Sequence, residues 1–119
     1  MLFRSSFAHQ DYAGRCELLF GVREGGDPAA CVARELIAAR PCAARLVVDA
    51  ASCGPNRKVC NLANLAARAA GEIIVAADSD IAVPPSYLSA VVAALERLGV
   101  GLVTCLYRGL PAGRLWSRL

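Results

Sequence analysis

The chain has 119 residues, 56% of them hydrophobic, and a formal net charge of +3. This length is one domain or part of one, and this hydrophobicity excludes an intrinsically disordered chain. The basic residues are dispersed, Lys58 being the sole lysine, and no Lys/Arg cluster interleaved with aromatics marks a nucleic-acid surface.

In chain order, residues 1–13 read as the tail of a helix running into a turn, and Met1-Leu2-Phe3-Arg4 lacks the apolar region and cleavage site of a secretory leader. Glu17 to Val22 is a strand and Arg23 to Gly26 a loop. Asp27-Pro28 opens a helix, with Asp as N-cap and Pro at the first helical position. That helix runs to about Arg40, with Val32, Ala33, Leu36 and Ile37 on one face, and Pro41 follows it. Arg45 to Asp49 is a second strand, and Ala50 to Asn56 a loop containing Gly54-Pro55. Residues 57–70 form a second helix, with Val59, Leu62, Ala63 and Ala66 at helical spacing and Gly71 as its stop. Glu72 to Ala77, rich in Ile and Val, suits a strand covered on both faces. Pro84-Pro85 opens a third helix with Leu88, Val91, Val92, Leu95 and Leu98 on its buried side, ended by Gly99. Val100 to Tyr107 is a fourth strand. Arg108 to Leu119 is a loop or tail, turning helical near Trp116. The apolar window Leu88–Tyr107 is broken by Glu96-Arg97 and Gly99, so it reads as helix then strand and not as a membrane span. Strands alternating with helices of this length predict right-handed βαβ units and a parallel sheet, an α/β fold with no linker dividing residues 1–119.

Six cysteines (16, 31, 42, 53, 60 and 105) form no CxxC pair and no Cys/His ligand spacing. Several fall within predicted elements, where Cys behaves as a small hydrophobe. Free, mostly buried thiols and a reducing compartment are expected.

The chemistry lies at the carboxyl ends of the strands, which in a parallel sheet share one rim. The first strand delivers Glu24, the second the loop into Gly54-Pro55-Asn56-Arg57-Lys58, and the third Asp78 and Asp80. A helix N-terminus and a lysine attract phosphate. Two carboxylates repel unless a cation lies between them, and a divalent metal carrying a phosphate is the usual solution. The set suits a nucleotide diphosphate carrying a leaving group. Each residue also has a plainer reading: Asp78 and Asp80 as a turn and a helix cap, Lys58 as a solvated lysine, Asn56 and Asn61 as a cap and an exposed helical residue, Glu24 as a solvated loop residue. Asp49 reads as a turn residue, His9 and Arg108 as surface residues, and Trp116 as packing.

Gly54-Pro55-Asn56-Arg57-Lys58-Val59-Cys60-Asn61-Leu62 matches a G-x-N-x-K-x-x-N-L pattern; Asp78-Ser79-Asp80 follows it and Val22-Arg23-Glu24-Gly25-Gly26-Asp27-Pro28-Ala29 precedes it. Together these resemble ceramide glucosyltransferases and their bacterial relatives, particularly hopanoid-biosynthesis glycosyltransferases, over roughly residues 5–110. The resemblance implies the parallel-sheet, nucleotide-binding half of a GT-A (Rossmann-like) domain, within an inverting, metal-dependent enzyme. It implies a UDP-sugar donor, a lipid acceptor, Mg²⁺ or Mn²⁺ as cofactor, and a full-length enzyme at the cytoplasmic face of a membrane. Asp78 and Asp80 would hold the metal, and Glu24, Asn56, Lys58, Asn61 and Asp78 would line the nucleotide sugar. Glu24 stands where the family usually has an aspartate that recognises the base, and Asp27 is close enough to share that task. The family's catalytic base and its Q/R-x-x-R-W motif lie further downstream than this chain reaches, and Arg114-Leu115-Trp116 does not replace them. The family's sheet also begins with a strand that would lie ahead of residue 1, between the first and third strands here. The chain thus reads as an incomplete glycosyltransferase domain, with residues 108–119 leading toward the acceptor half, marginal in stability and of little activity alone. Two alternatives stay open. One is a non-catalytic, truncated α/β nucleotide-binding module. The other is a phosphatase of the haloacid-dehalogenase type, which also uses DxD but on its first strand and with Thr or Val where this chain has Ala82.

Overall fold

The computed structural model describes residues 6–39 and 43–109. Two strands, β1 (Glu17–Val22) and β2 (Ala43–Val48), run parallel in register from Glu17 opposite Ala43 to Val22 opposite Val48. Helix α1 (Pro28–Ala38) connects them, and α2 (Arg57–Ala66) and α3 (Tyr87–Leu95) follow. This is the α/β architecture expected, a βαβ unit and two further helices that make a partial Rossmann-like domain. α1 packs on both strands and α2 on β1.

Local chemistry sets the helix starts. The Asp27 carboxylate accepts the Ala29 N–H at 2.7 Å, and Pro28 fills the first helical position, where no N–H is needed. The Asn56 side-chain oxygen accepts from the N–H groups of Lys58 (3.1 Å) and Val59 (3.2 Å), satisfying two of the orphan donors of α2. α2 ends at Ala66, earlier than expected, and the next residues tighten into i→i−3 bonds, Arg68 N–H to Leu65 and Ala69 N–H to Ala66. α3 begins at Tyr87, after the two prolines, and its N-cap Ser86 makes no side-chain cap. Gln10 caps it from across the chain instead: its Oε1 accepts the Leu88 N–H at 2.9 Å, while its Nε2 donates to the carbonyls of Ser6 and Pro84. The Ser89 hydroxyl donates to Asp11 O, and Phe7 meets Tyr87 edge to face at 5.8 Å.

Gly21 is where β1 and α2 come closest. A Cβ there would lie 2.7 Å from Asn61 Oδ1 and 2.8 Å from Leu65 Cδ1, so only glycine lets the helix approach. Asn61 Nδ2 donates to Gly21 O at 3.3 Å and fastens the two elements. At the other end of β1, Glu17 accepts from Arg45 at 2.8 Å and from the Ala70 N–H, tying both strands to the end of α2. These bonds hold the Glu17 carboxyl below its ordinary pKa, the Ala70 N–H most of all.

Several expectations need correction. Glu72–Ala77 and Val100–Tyr107 form no regular element, and neither joins the sheet, which has two strands among the described residues. An apolar run supplies the side chains of a strand, but a ladder also needs the segment to lie in register along a strand edge, and neither segment pairs with the outer edge of β1 or β2. Ile74, Leu102 and Leu106 are consequently exposed. Val59 and Leu98, expected inside, are exposed too, at 53% and 104%. The buried stripe of α2 is instead centred on Cys60, with Leu62 and Leu65 half-buried, and Ala63 and Ala66 face out. On α1 the fully buried positions are Ala30 and Ala33, with Val32, Leu36 and Ile37 half-buried. The expected burial of most cysteines also fails. All five in described residues are free, but Cys16, Cys31, Cys53 and Cys105 are exposed and only Cys60 is buried. The expectations on residues 1–5, Arg40, Pro41, Cys42 and 110–119, Arg114 and Trp116 included, lie outside the described residues.

Candidate functional site

The loop from β2 into α2 is held at both ends. Asp49 accepts the Ala51 N–H at 2.8 Å and pairs with Arg68 at 2.9 Å, so it is the turn residue expected of it. These contacts keep its carboxyl below the ordinary value, the Ala51 N–H first and the Arg68 charge next. Asn64 Nδ2 donates to Ala51 O and Arg23 reaches Ala50 O at 3.0 Å. The Asn56 cap then fixes where Lys58 leaves the helix.

Lys58 lies in the first turn of α2, where the exposed N–H groups make the helix end partly positive and a lysine unfavourable. A carboxylate compensates: Lys58 Nζ stands 2.6 Å from Asp78 Oδ1. That hydrogen bond and charge raise the Lys58 pKa, and Tyr107 and Asp80 push in the same direction from further away. Both partners remain open to solvent, at 64% and 43% exposure, so a ligand can reach them.

Lys58, Asp78 and Asp80 line one open trough of about 1410 Å³. Its walls are Lys58 and Leu62 from α2, Tyr87, Val91 and Leu95 from α3, and the irregular segments 72–78 and 101–109. The lining mixes charged side chains, Glu72 and Arg108 among them, with apolar ones. The expected convergence of the second and third strand ends is present in space, although Glu72–Ala77 makes no ladder.

The remaining expected residues stand elsewhere. Asn56 and Asn61 do not line the trough; they position Lys58, one by capping α2 and the other by fastening it to β1. Glu24 is exposed, its carbonyl accepting from Asp27 N–H at 3.2 Å, and it does not line the trough. Asp27 is occupied as a helix cap. Arg108 is exposed and lines the trough; His9 is exposed. Two residues of interest went unnamed by sequence reasoning. Tyr107 reads in the sequence only as the end of a fourth strand, and it lines the trough although no strand forms there. Gln10 carries no local signal for its capping role, because Pro84 and Leu88 are more than 70 residues away.

The donor set fits a hard cation only in part. Asp78 and Asp80 are oxygen donors facing one cavity, and Asp78 already attracts a positive charge. Among the described residues no three His, Cys, Asp or Glu side chains gather as a closed metal site. Two carboxylates with substrate phosphates completing the shell is how Mg²⁺ is commonly held, so the residues present fit a cation that arrives with a diphosphate.

Among the described residues no helix is long and apolar enough to cross a membrane. The model of a family described as glycosyl transferase family 21 matches residues 3–119. No curated protein and no solved structure matches the chain.

Proposed function

The chain belongs to glycosyl transferase family 21, and from that premise we propose that it binds the donor, a UDP-sugar, in the trough where Lys58, Asp78 and Asp80 meet. The reaction served is transfer of a hexose or N-acetylhexosamine to a lipid hydroxyl, sphingoid or hopanoid. The observation that carries this reading is the Lys58–Asp78 contact of 2.6 Å inside a cavity that Asp80 shares.

Lys58 and the first turn of α2 attract the diphosphate, the ammonium as a point charge and the helix end through its N–H groups. Asp78 keeps Lys58 charged and aimed at the trough until the phosphate arrives. Asp78 and Asp80 are the residues that would hold Mg²⁺ or Mn²⁺, which when bound supplies Lewis-acid neutralisation of the departing diphosphate. Asn56 and Asn61 act at one remove, by holding α2 in place. The apolar walls formed by residues 73–77 and 101–106 suit the lipid end of the reaction better than a second sugar. A trough of about 1410 Å³ exceeds the roughly 300–1,000 Å³ of an ordinary small-ligand site, leaving room for a nucleotide sugar and part of an acceptor. The full-length enzyme works at the cytoplasmic face of a membrane.

Calorimetry with UDP and a UDP-sugar in the presence of Mn²⁺ tests the proposal. Asp78→Asn and Asp80→Asn should each weaken binding about tenfold or more, because each removes a charge-assisted contact. Chelation of the metal should weaken the wild type by a similar factor. Unchanged affinity in both variants, with circular dichroism showing them folded, would rule the site out.

A further inference from the structure

Cys53 and Cys60 bracket the turn that carries Asn56 and Lys58, and neither lines the trough. Cys60 lies in the first turn of α2 and is 1% exposed, while Cys53 is exposed. Their sulfurs stand 2.9 Å apart. The Cys53 backbone N–H donates to Cys60 Sγ at 3.0 Å, and the Ser52 hydroxyl lies 3.9 Å from it. Closing the pair into a bond of about 2.05 Å needs an approach of less than about 1 Å. The intervening residues, with Gly54-Pro55 at the bend, already fold the loop back so that the two side chains face one another.

We propose that Cys53 and Cys60 form a thiol–disulfide pair whose oxidation clamps the turn bearing Asn56 and Lys58. The two cysteines divide the work by exposure. A low-molecular-weight disulfide reaches only Cys53. The Cys53 thiolate attacks one sulfur of it, forms a mixed disulfide and releases one small thiolate. The Cys60 thiolate then attacks the Cys53 sulfur, the Cys53–Cys60 bond forms, and the second small thiolate leaves. Two protein thiols are oxidised, one small disulfide is reduced to two thiols, and the two protons from the cysteines end on those thiols. The contact acts on both thiols: the Cys53 thiol and backbone N–H lower the Cys60 pKa, which raises the Cys60 thiolate fraction for the second step, while the Cys60 sulfur raises the Cys53 pKa.

The test treats the native chain with oxidised glutathione, blocks remaining thiols, and digests the denatured protein with trypsin. Arg57 and Lys58 lie between the two cysteines, so digestion separates peptides 46–57 and 59–68 unless a disulfide joins them. The expected product is that linked pair, lost on reduction. Cys60→Ser should leave Cys53 as a lasting mixed disulfide with glutathione, and Cys53→Ser should leave Cys60 unmodified. In the native state, tryptic cutting at Lys58 should slow about fivefold or more on oxidation, since a closed ring restricts local opening. A wild-type chain that keeps glutathione on Cys53, or pairs either residue with Cys16, Cys31, Cys42 or Cys105 instead, overturns the proposal. So does a linked pair whose native cutting rate at Lys58 is unchanged. Should a serine variant fail to fold, the wild-type peptide map and cutting rate decide alone.

Discussion

Gly21→Ala is the sharpest perturbation of the scaffold beneath Lys58. Two effects oppose each other. Gly21 has no positive φ, so alanine fits the backbone there, and the loss of unfolded-state freedom would stabilise the chain by about 0.4–1 kcal/mol. Against this, the new methyl meets Asn61 Oδ1 at 2.7 Å, Leu65 Cδ1 at 2.8 Å and Asn61 Nδ2 at 2.9 Å, all inside ordinary contact. Both side chains are half-buried, and Asn61 is tethered by its bond to Gly21 O, so neither swings away without loss. Overpacking of this kind costs about 1–3 kcal/mol, and the loosened Asn61 hydrogen bond about 1 kcal/mol more at most.

The net expectation is a loss of about 1–2 kcal/mol. In urea denaturation followed by circular dichroism, with a slope of roughly 1–2 kcal/mol/M, the midpoint should fall by about 1 M. Asn61→Ala removes two of the three close atoms, so Gly21→Ala should cost about 1 kcal/mol less in that background, a coupling that a double-mutant cycle reads directly. A midpoint unchanged or raised by Gly21→Ala, or costs that simply add, would refute the claim that Asn61 and the bare Gly21 backbone together seat α2.

Other outcomes follow from the same contacts. Asn56→Ala removes the cap of α2 and should cost about 1 kcal/mol, with faster hydrogen exchange confined to the amides of Lys58 and Val59. The pairs Glu17–Arg45 and Asp49–Arg68 hold both carboxyls below their ordinary pKa values. Their stabilisation is full above the unfolded-state carboxylate pKa and is lost as pH falls through the lowered folded values, so urea midpoints should drop on acidification and Glu17→Gln should flatten that drop. Lys58 has the opposite sign. Its raised pKa means its contribution is complete below the unfolded lysine value and disappears only as pH rises through the folded one. Because it is the sole lysine, its side-chain resonances can be titrated without ambiguity, and Asp78→Asn should move that titration to lower pH.

What the sequence made legible was mostly local. Asp27-Pro28 and Asn56 announce helix starts because a cap bonds to an N–H two or three residues on, whatever the rest of the chain does. The meeting of Lys58 with Asp78 was expected from strand ends sharing one rim, but the structure brings them together through a segment that makes no ladder. Periodicity located stripes on the helices but not how deeply each residue would sink. It put Val59 and Leu98 inside, where the structure leaves both exposed and buries Cys60, while Val92 is buried as expected. Strand pairing is a property of two segments, so Glu72–Ala77 and Val100–Tyr107 could be read as apolar and extended but not as partnered. The cap that Gln10 gives α3 spans most of the chain and has no sequence signature. The Cys53–Cys60 contact depends on how the Gly54-Pro55 bend folds back, and a spacing of seven matches no familiar pair.

The shape of the molecule connects these points. Its accessible surface is 9087 Å², against about 6,200 Å² for a compact chain of this mass. Its radius of gyration is 15.6 Å, against about 13.5 Å for a compact chain of this length. Excess surface is visible in the same segments that wall the trough, where Ile74, Leu102 and Leu106 stand 59%, 78% and 103% exposed. The fully buried positions, by contrast, are valines, alanines and a cysteine around β1, β2 and the helices. Lys58 and Asp78 thus sit on a boundary: α2 is anchored to the packed part through Asn61 and Gly21, while Asp78 belongs to a segment with no ladder. Their ion pair joins the two parts, yet it is exposed, and exposed pairs hold segments together weakly. A diphosphate gripped by Lys58 and a cation gripped by Asp78 and Asp80 would strengthen that junction by giving both sides a common partner. Binding of the proposed donor would, on this reasoning, also tie residues 72–80 to α2.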